Sequence, residues 1–360
     1  MLSPGAIFKI SVEPGNLKVQ IAGVNPQAQK LIRTLFFFSL FTFGLCLPDT
    51  LRAQDEPKAA ASNAAPNILF VGNSFMYGAG SPVQSYRPET VTDLNGTKMG
   101  GVPALFKAFA AEAGCDFAVS LETAPGMNLD YHLQSKADVI GRSWDYAVLQ
   151  GYSTLDSKKP GDPTVLVESA KGLAELLRSK NAKVDVRLVA TWSRADQTYP
   201  ESGHWHGQPI EKMALDVRHG YDLATAAGAP TIRDVIPVGE AWNRAMQTGV
   251  ADPNPYDGLA PAQLNLWGKD NYHASSYGYY LEALMIFGDL TGLDPRSLGQ
   301  QERVAVELGF TPGQTAALQQ VAFDELTVTK GRLPLQPFKP VSDNSPPSKK
   351  RRIITPNFIK

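Results

Sequence analysis

Short apolar runs alternate with longer amphipathic segments through the middle of this chain. The run Ile68-Leu69-Phe70-Val71 ends at Gly72, which is the length of a buried strand. A segment with helical periodicity follows at residues 102–113, and the alternation continues to about residue 326. Repeated strand and helix segments indicate a parallel sheet that is covered by helices on both faces. The pattern therefore predicts one three-layer α/β/α domain with a parallel sheet of about five strands.

The predicted elements follow from this periodicity. The strands are expected at residues 68–71, 117–121, 146–149, 184–190 and 232–238. The longer helices are expected at residues 102–113, 129–140, 164–180, 209–227, 240–247 and 275–290. A long, turn-rich loop at residues 79–101 separates the first strand from the first helix, and loops of that length are commonly functional.

The two ends of the chain depart from this pattern. Lys30 and Arg33 precede an uncharged apolar run at residues 35–47, and Ala53 offers a small residue for cleavage. This predicts a signal peptide at about residues 30–53 and an exported, periplasmic or extracellular protein, with an uncleaved membrane anchor as the alternative. The predicted organisation is an N-terminal extension plus signal peptide at 1–53, a linker at 54–66, the α/β domain at 67–330, and a disordered tail rich in Pro, Ser and Lys at 331–360.

Charge and cysteine content exclude several classes of partner. The 34 basic and 35 acidic side chains give a net charge of −1, so nothing global attracts nucleic acid or an anionic membrane. Two cysteines are too few for a disulfide scaffold or a multi-cysteine zinc fold. We therefore expect no nucleic-acid partner and no stable membrane insertion after signal cleavage. The oligomeric state is left open.

Functional residues of a parallel sheet collect at the carboxyl ends of its strands. Five segments follow predicted strands or precede the late helix: Gly72-Asn73-Ser74-Phe75, Pro125-Gly126-Met127-Asn128, Gln150-Gly151-Tyr152-Ser153, Thr191-Trp192-Ser193-Arg194 and Asp270-Asn271-Tyr272-His273. Together they contain a serine, a histidine, an aspartate and several hydrogen-bond donors. This set suits acyl transfer.

Acyl transfer gives each of these residue types a role. The Ser74 hydroxyl would need an imidazole to accept its proton, and His273 would need Asp270 to hold its tautomer. Fixed donors must also stabilise the tetrahedral oxyanion. The backbone N–H groups of Ser74 and Gly126 are candidates, and the Gln150 amide is a third.

Two of these blocks resemble a known superfamily. Gly72-Asn73-Ser74 after Ile-Leu-Phe-Val, and Asp270-x-x-His273 near the end of the domain, resemble the SGNH/GDSL hydrolases over roughly residues 67–292, in particular a bacterial Gly-Asn-Ser-Phe branch. The resemblance implies a flavodoxin-like fold, a Ser74–His273–Asp270 triad and a Gly126 oxyanion donor. Asn73 stands where the family usually has Asp, and Gln150 stands where Gly-x-Asn-Asp usually provides Asn.

Further positions at the same edge are candidate substrate contacts. They are Asn73, Tyr77, Trp192, Arg194 and Trp267. Several assignments have a structural alternative: packing in the core for Trp192 and Trp267, joining of loops for Gln150, and a positive φ angle for Gly126. His204 and His206 flank Trp205 in a loop without a carboxylate at ligand spacing, so no metal site is predicted.

The expected function is an SGNH-type serine esterase. It would cleave carboxylic esters, with small acyl (acetyl) esters on carbohydrate favoured, through an acyl-enzyme. This chemistry requires no metal, nucleotide or redox cofactor. The alternatives are a non-catalytic carbohydrate-binding relative of the fold, and an enzyme of thioesterase or lysophospholipase type.

Overall fold

The computed structural model describes residues 7–13, 16–22, 65–328 and 334–341. They belong to two compact units, Met1–Ser62 and Asn63–Lys360. In the first unit, strands β1 (Ile7–Glu13) and β2 (Asn16–Ala22) pair antiparallel, with Glu13 opposite Asn16. The predicted signal peptide and most of the predicted linker lie outside the described residues. Within the described part of the chain, no helix combines the length and apolarity that crossing a membrane needs.

A parallel sheet of six strands forms the centre of the second unit. The strands are β3 (Asn67–Gly72), β4 (Thr92–Asp93), β5 (Ala118–Thr123), β6 (Tyr146–Leu149), β7 (Asp185–Ala190) and β8 (Ile232–Pro237), in the order β4-β5-β3-β6-β7-β8. The five predicted strands are all present. The additional strand, β4, has two residues inside the predicted loop at 79–101 and pairs with residues 120–121.

Helices cover both faces of this sheet. They are α1 (Gly101–Glu112), α2 (Leu129–Ser135), α3 (Ala137–Ile140), α4 (Thr164–Lys180), α5 (Ala195–Thr198), α6 (Glu211–Ala227), α7 (Val238–Gln247), α8 (Ser276–Thr291), α9 (Arg303–Glu307) and α10 (Pro312–Val328), with short 3-10 turns at Pro82–Ser85, Pro88–Thr90 and Pro295–Leu298. The predicted α/β/α architecture is thereby confirmed. One predicted helix, at 129–140, is divided into α2 and α3, because Lys136 leaves helical geometry at φ −124° and ψ 7°.

Two apolar cores separate the layers, and β3 contributes to both. Ile68 and Phe70 pack with α1, α7, α8 and α10 on one face of the sheet. Leu69 and Val71 pack with α2, α4 and α6 on the other face. Side chains alternate across a strand, so a continuous apolar run fills both cores at once. This is the physical reason for the unbroken apolar run at residues 68–71.

Part of the predicted disordered tail packs against the domain. Leu335 and Phe338 are buried in the core on the α8 side. The backbone of Gln336 makes two hydrogen bonds. Its N–H donates to the Gly292 carbonyl (2.8 Å), and its carbonyl accepts from the Asp294 N–H (2.9 Å). Residues 334–341 of the predicted tail therefore pack on the domain, because Leu335 and Phe338 are apolar and bury their side chains.

The strand order creates a crevice at one point of the sheet edge. The chain leaves β3 toward β5 and β4, and then crosses to β6 on the other side of β3. Loops after β3 and β6 consequently diverge, and ligands of open α/β sheets bind at such a switch point. Asn73 and Ser74 directly follow β3, and Gln150 directly follows β6.

Candidate active site

Ser74 lies on a tight turn at the end of β3. The carbonyl of Asn73 accepts hydrogen bonds from the N–H groups of Met76 (3.0 Å) and Tyr77 (3.1 Å), which reverses the chain around the serine. Gly72 is required before this turn, because a Cβ there would stand 2.8 Å from Gln150 Oε1 and 2.9 Å from Met76 Cβ. The turn leaves Ser74 6% exposed at the carboxyl edge of the sheet.

The Asn73 side chain joins the loops instead of facing a ligand. Its Nδ2 donates to the carbonyls of Met127 (2.9 Å) and Gly151 (3.1 Å), and its Oδ1 accepts from the Phe75 N–H (3.1 Å). All of its side-chain donors and acceptors are used within the protein, and the side chain is buried. The predicted contact between Asn73 and substrate is corrected here to a positioning role.

Gln150 is engaged in the same network. It is fully buried, its Oε1 accepts from the Asn73 N–H (3.2 Å), and its Nε2 donates to the Gly151 carbonyl. The structure therefore places this amide in the loop-joining role, not in the predicted oxyanion role. Asn128, which sequence reasoning missed, adds a parallel link, because its Oδ1 accepts from the Tyr152 N–H (2.9 Å) and its Nδ2 donates to the Leu155 carbonyl (2.8 Å).

Two backbone donors remain available near the nucleophile. In the described part of the chain, the N–H groups of Ser74 and Gly126 donate no hydrogen bond. Gly126 has φ +68°, and a Cβ at this position would meet no atom within 4 Å. A glycine is needed at position 126 for its backbone conformation, not to avoid a steric clash. The left-handed conformation sets the direction of the Gly126 N–H.

Asp270 and His273 form an ion-pair geometry in a single turn. His273 Nδ1 lies 2.7 Å from Asp270 Oδ2, and the backbone N–H groups of His273 (2.9 Å) and Tyr272 (3.1 Å) donate to Asp270 Oδ1. Partial burial alone would raise the pKa of Asp270, but these hydrogen bonds outweigh it and hold the pKa below its usual 3.8. Asp270 is thus an ionised acceptor that orients the imidazole.

The catalytic turn and the nucleophile turn share neighbours. The Phe75 ring, next to Ser74, lies 5.6 Å from the His273 ring. Tyr279 of α8 donates a hydrogen bond from its hydroxyl to the Ala79 carbonyl (3.1 Å) and toward the Ser74 carbonyl (3.4 Å). Helix α8 begins at Ser276, three residues after His273. His273 Nε2 is buried and has no hydrogen-bond partner among the described residues. The structure therefore brings Ser74, Asp270 and His273 to one edge, without a direct Ser74–His273 hydrogen bond.

Arg194 borders this site, but its charge is already paired. Its Nε (3.0 Å) and Nη2 (2.6 Å) donate to Asp196, and its Nη1 donates to Ser153 Oγ (3.2 Å). The guanidinium lies flat on the Tyr272 ring, 3.6 Å from its centroid. Arg194 consequently fixes the neighbours of Ser74, and the side chain is mostly covered.

The other aromatic candidates are core residues. Trp192 is fully buried and stacks between Phe75 (4.3 Å) and Trp242 (4.5 Å). Trp267 is 1% exposed, and its Nε1 donates to the Ser193 carbonyl (3.0 Å). Neither indole offers a face on which a sugar could stack, so the predicted substrate contacts of Trp192 and Trp267 are corrected to packing. Tyr77 is also buried, and burial raises the pKa of its phenol.

A second histidine–carboxylate pair flanks the loop that carries Gly126. Glu122 at the end of β5 and His132 in α2 are fully buried, and His132 Nδ1 bonds Glu122 Oε2. Asn95 donates to Glu122 Oε1 (3.2 Å) and to the Thr123 carbonyl (2.9 Å). Sequence reasoning missed this pair, because a lone Glu in an apolar strand carries no motif. It closes the base of the loop at residues 123–128.

A polar cleft adjoins the Asp270 turn. Its volume is about 300 Å³, and its lining is mostly small and polar: Gly80, Ser81, Pro82, Asn265, Trp267, Gly268, Lys269, Asn271, Ser275 and Ser276. The first residues of the long loop after Ser74 thus form one wall of this cleft. Among the described residues, no group of three or more His, Cys, Asp or Glu side chains is placed to hold a metal ion.

Comparison with known proteins relates the chain to solved structures only. No family model and no curated protein matches the sequence. The chain is similar to a DUF4886 family protein from Bacteroides uniformis, at 17% identity and a TM-score of 0.53, over 76% of this chain and 98% of that one. A putative GDSL-like lipase from Parabacteroides merdae matches at 15% identity and 0.41, over 61% of this chain and 93% of that one.

An enzyme described as a two-domain esterase active on acetylated mannans matches at 16% identity and a TM-score of 0.37, over 62% of this chain and 48% of that one. At these identities the shared property is the fold. The α/β/α fold predicted from the sequence is shared with the DUF4886 family protein, at a TM-score of 0.53.

Proposed function

We propose that this protein is a serine hydrolase that cleaves carboxylic esters. The observation that carries the proposal is the Asp270–His273 pair at 2.7 Å, with a buried, unpartnered Nε2 at the edge where Ser74 sits on its turn. An ionised carboxylate only accepts hydrogen bonds, so it places the ring proton on Nδ1. In the neutral imidazole Nε2 is then the unprotonated nitrogen, which is the form of imidazole that a serine nucleophile needs.

The proposed reaction proceeds in two halves. Ser74 Oγ attacks the ester carbonyl while its proton passes to His273 Nε2, and the new C–O bond yields a tetrahedral oxyanion. Collapse breaks the bond to the leaving alcohol, which takes the proton from Nε2 and leaves an acyl-serine. Water then repeats the sequence and releases the acid. The free N–H groups of Ser74 and Gly126 are suited to bind the oxyanion.

The surroundings of the site favour a small acyl group and a polar alcohol. Ser74 is crowded by the aromatic rings of Phe75 and Tyr272, while the cleft beside Asp270 is lined by serine, asparagine and lysine side chains. Acetyl esters of carbohydrates combine these two properties. We propose acetyl esters of carbohydrates as the substrate class. We also propose that the protein is exported, because the sequence predicts a signal peptide at about residues 30–53.

The test compares the full chain with its Ser74→Ala variant on p-nitrophenyl acetate, butyrate and octanoate, and on acetylated oligosaccharides. The proposal predicts turnover that the variant lacks, with acetate preferred over octanoate. Equal hydrolysis by both proteins would contradict a Ser74 nucleophile. Binding of the oligosaccharides without turnover by the wild type would instead support the carbohydrate-binding alternative. A preference for octanoate would favour the thioesterase or lysophospholipase type.

A further inference from the structure

The site contains fewer side-chain oxyanion donors than its sequence suggests. The Gln150 amide is buried and bonded to Asn73 and Gly151, so it is not directed at Ser74. The Arg194 guanidinium is held by Asp196 and Ser153. Two backbone N–H groups remain, from Ser74 and Gly126. A third fixed donor beside them would stabilise the developing negative charge further.

Tyr272 occupies a fixed position next to the nucleophile. Its ring lies between the Arg194 guanidinium (3.6 Å) and the rings of Phe75 (5.4 Å) and His273 (4.0 Å). Its backbone is also held, because its N–H donates to Asp270 Oδ1 (3.1 Å) and its carbonyl accepts from Trp192 Nε1 (3.3 Å). Among the groups close enough to the phenol oxygen to lower its pKa are the hydroxyls of Ser153 and Ser74. A rigidly held phenol therefore lies beside the candidate nucleophile.

We propose that the phenol of Tyr272 donates the third hydrogen bond to the oxyanion, and that Tyr272 is a catalytic residue of the reaction proposed above, on which this inference rests. In the resting protein, the same hydroxyl is a neighbour of Ser74. When Ser74 attacks a carbonyl, the oxyanion forms two bonds away from Oγ, on the carbon that Oγ attacks, and the phenol beside Oγ is placed to donate to it.

The hydrogen bonds around Tyr272 are suited to keep it a donor. A guanidinium can only donate hydrogen bonds, so Ser153 Oγ must be the acceptor in its 3.2 Å hydrogen bond with Arg194 Nη1. Ser153 can then donate to the Tyr272 oxygen, which leaves the phenol proton for Ser74 or the oxyanion. Burial raises the pKa of Tyr272, partly offset by the charge of Arg194 and by the two serine hydroxyls, so the phenol keeps its proton at neutral pH.

The experiment measures p-nitrophenyl acetate hydrolysis by the full-length Tyr272→Phe variant, which keeps the ring and its stacking. Loss of one oxyanion donor lowers kcat about 10²–10³-fold. We expect that loss with KM changed less than about threefold, and weaker binding of phenylboronic acid, which forms a tetrahedral adduct on serine. The Ser153→Ala variant should show a smaller loss in the same direction. Tyr256→Phe, at an exposed ring outside the site, serves as the matched control.

The outcomes separate this inference from the proposed function. Activity that is abolished by Ser74→Ala but fully retained by Tyr272→Phe would overturn the role of Tyr272 alone. A wild type that is inactive on all esters would overturn the proposed function, and the inference with it. If Tyr272→Phe loses thermal stability, full activity of Ser153→Ala in a stably folded protein still contradicts the inference.

Discussion

Asp270 holds His273 through both its ring and its backbone, with Oδ2 at 2.7 Å from Nδ1 and Oδ1 accepting from the His273 N–H at 2.9 Å. The two bonds fix the tautomer and the orientation of the imidazole together. The Asp270 side chain is 51% exposed to solvent, which weakens its charge interaction with the imidazole. Asp270 therefore acts mainly by orienting the ring.

The first prediction concerns this pair. Asp270→Asn replaces one acceptor oxygen by a donor nitrogen, so it can favour the tautomer that carries its proton on Nε2. We expect kcat for p-nitrophenyl acetate to fall about 10²–10⁴-fold, with little change in KM. Asp257→Asn, in a loop away from the pair, is the control and should retain activity. A kcat for Asp270→Asn within about threefold of wild type would mean that Asp270 does not orient the base.

The second prediction tests the departure of this chain from the usual first block. Asn73→Asp introduces the residue that the superfamily commonly carries, but here Nδ2 donates to the carbonyls of Met127 and Gly151. A carboxylate would face two carbonyl oxygens, so the free energy of unfolding should fall by about 2–4 kcal/mol at neutral pH. Denaturant unfolding measures it. Protonation of the introduced carboxylate would restore one donor, so the loss in free energy of unfolding relative to wild type should become smaller as the pH falls. A loss that does not change with pH would contradict this explanation.

The third prediction concerns a buried carboxyl outside the site. Glu302 precedes α9, and burial, together with the charge of Glu112, raises the pKa of its carboxyl to about 7 despite hydrogen bonds from the N–H groups of Val304 and Ala305. A raised folded-state pKa favours the folded state at low pH, and that stabilisation is lost as the pH rises toward 7. The melting temperature should therefore fall between about pH 4.5 and 7.

Glu302→Gln should reduce this fall, because an amide does not titrate, while the buried Glu282, whose pKa is also raised by burial, still contributes the remainder. The exposed Glu201→Gln variant provides the control and should retain the pH dependence of the wild type. Parallel melting curves for wild type and Glu302→Gln across this pH range would show that Glu302 is not the titrating group.

The fourth prediction follows from the packing of residues 334–341. Phe338 is 9% exposed and its ring contacts Phe287 of α8 at 6.0 Å. Phe338→Ala should lower the free energy of unfolding by about 2–4 kcal/mol, because it leaves a cavity at the edge of the core. Lys339→Ala, at the neighbouring exposed residue, is the matched control and should leave the free energy of unfolding unchanged. Equal stability of both variants would contradict the packing of this segment.

The sequence predicted the fold, because the fold depends on periodicity and on the positions of the strand ends. Ser74 and His273 could be placed at one edge from the parallel sheet alone. The strand at residues 92–93 could not be predicted, since two residues carry no alternation. The division of the helix at Lys136 was equally invisible, because its break lies in φ and ψ, not in composition.

Side-chain direction was the main information that the sequence lacked. Trp192 follows a strand end as Arg194 does, and Trp267 lies in the loop before α8, but only the structure shows that both indoles are packed in the core. Tyr272 carries no sequence signal beyond its place between Asp270 and His273. Its importance arises from the guanidinium of Arg194 and the hydroxyl of Ser153, which the fold brings from two other strand ends.

The most direct test of the account is covalent labelling of the full chain with diethyl p-nitrophenyl phosphate, followed by intact-mass and peptide analysis. We expect one diethylphosphoryl group per chain, attached to Ser74. The Ser74→Ala variant should not be labelled, and the His273→Ala variant should be labelled much more slowly than wild type. Labelling that persists in Ser74→Ala, or that maps to another residue, would contradict Ser74 as the nucleophile.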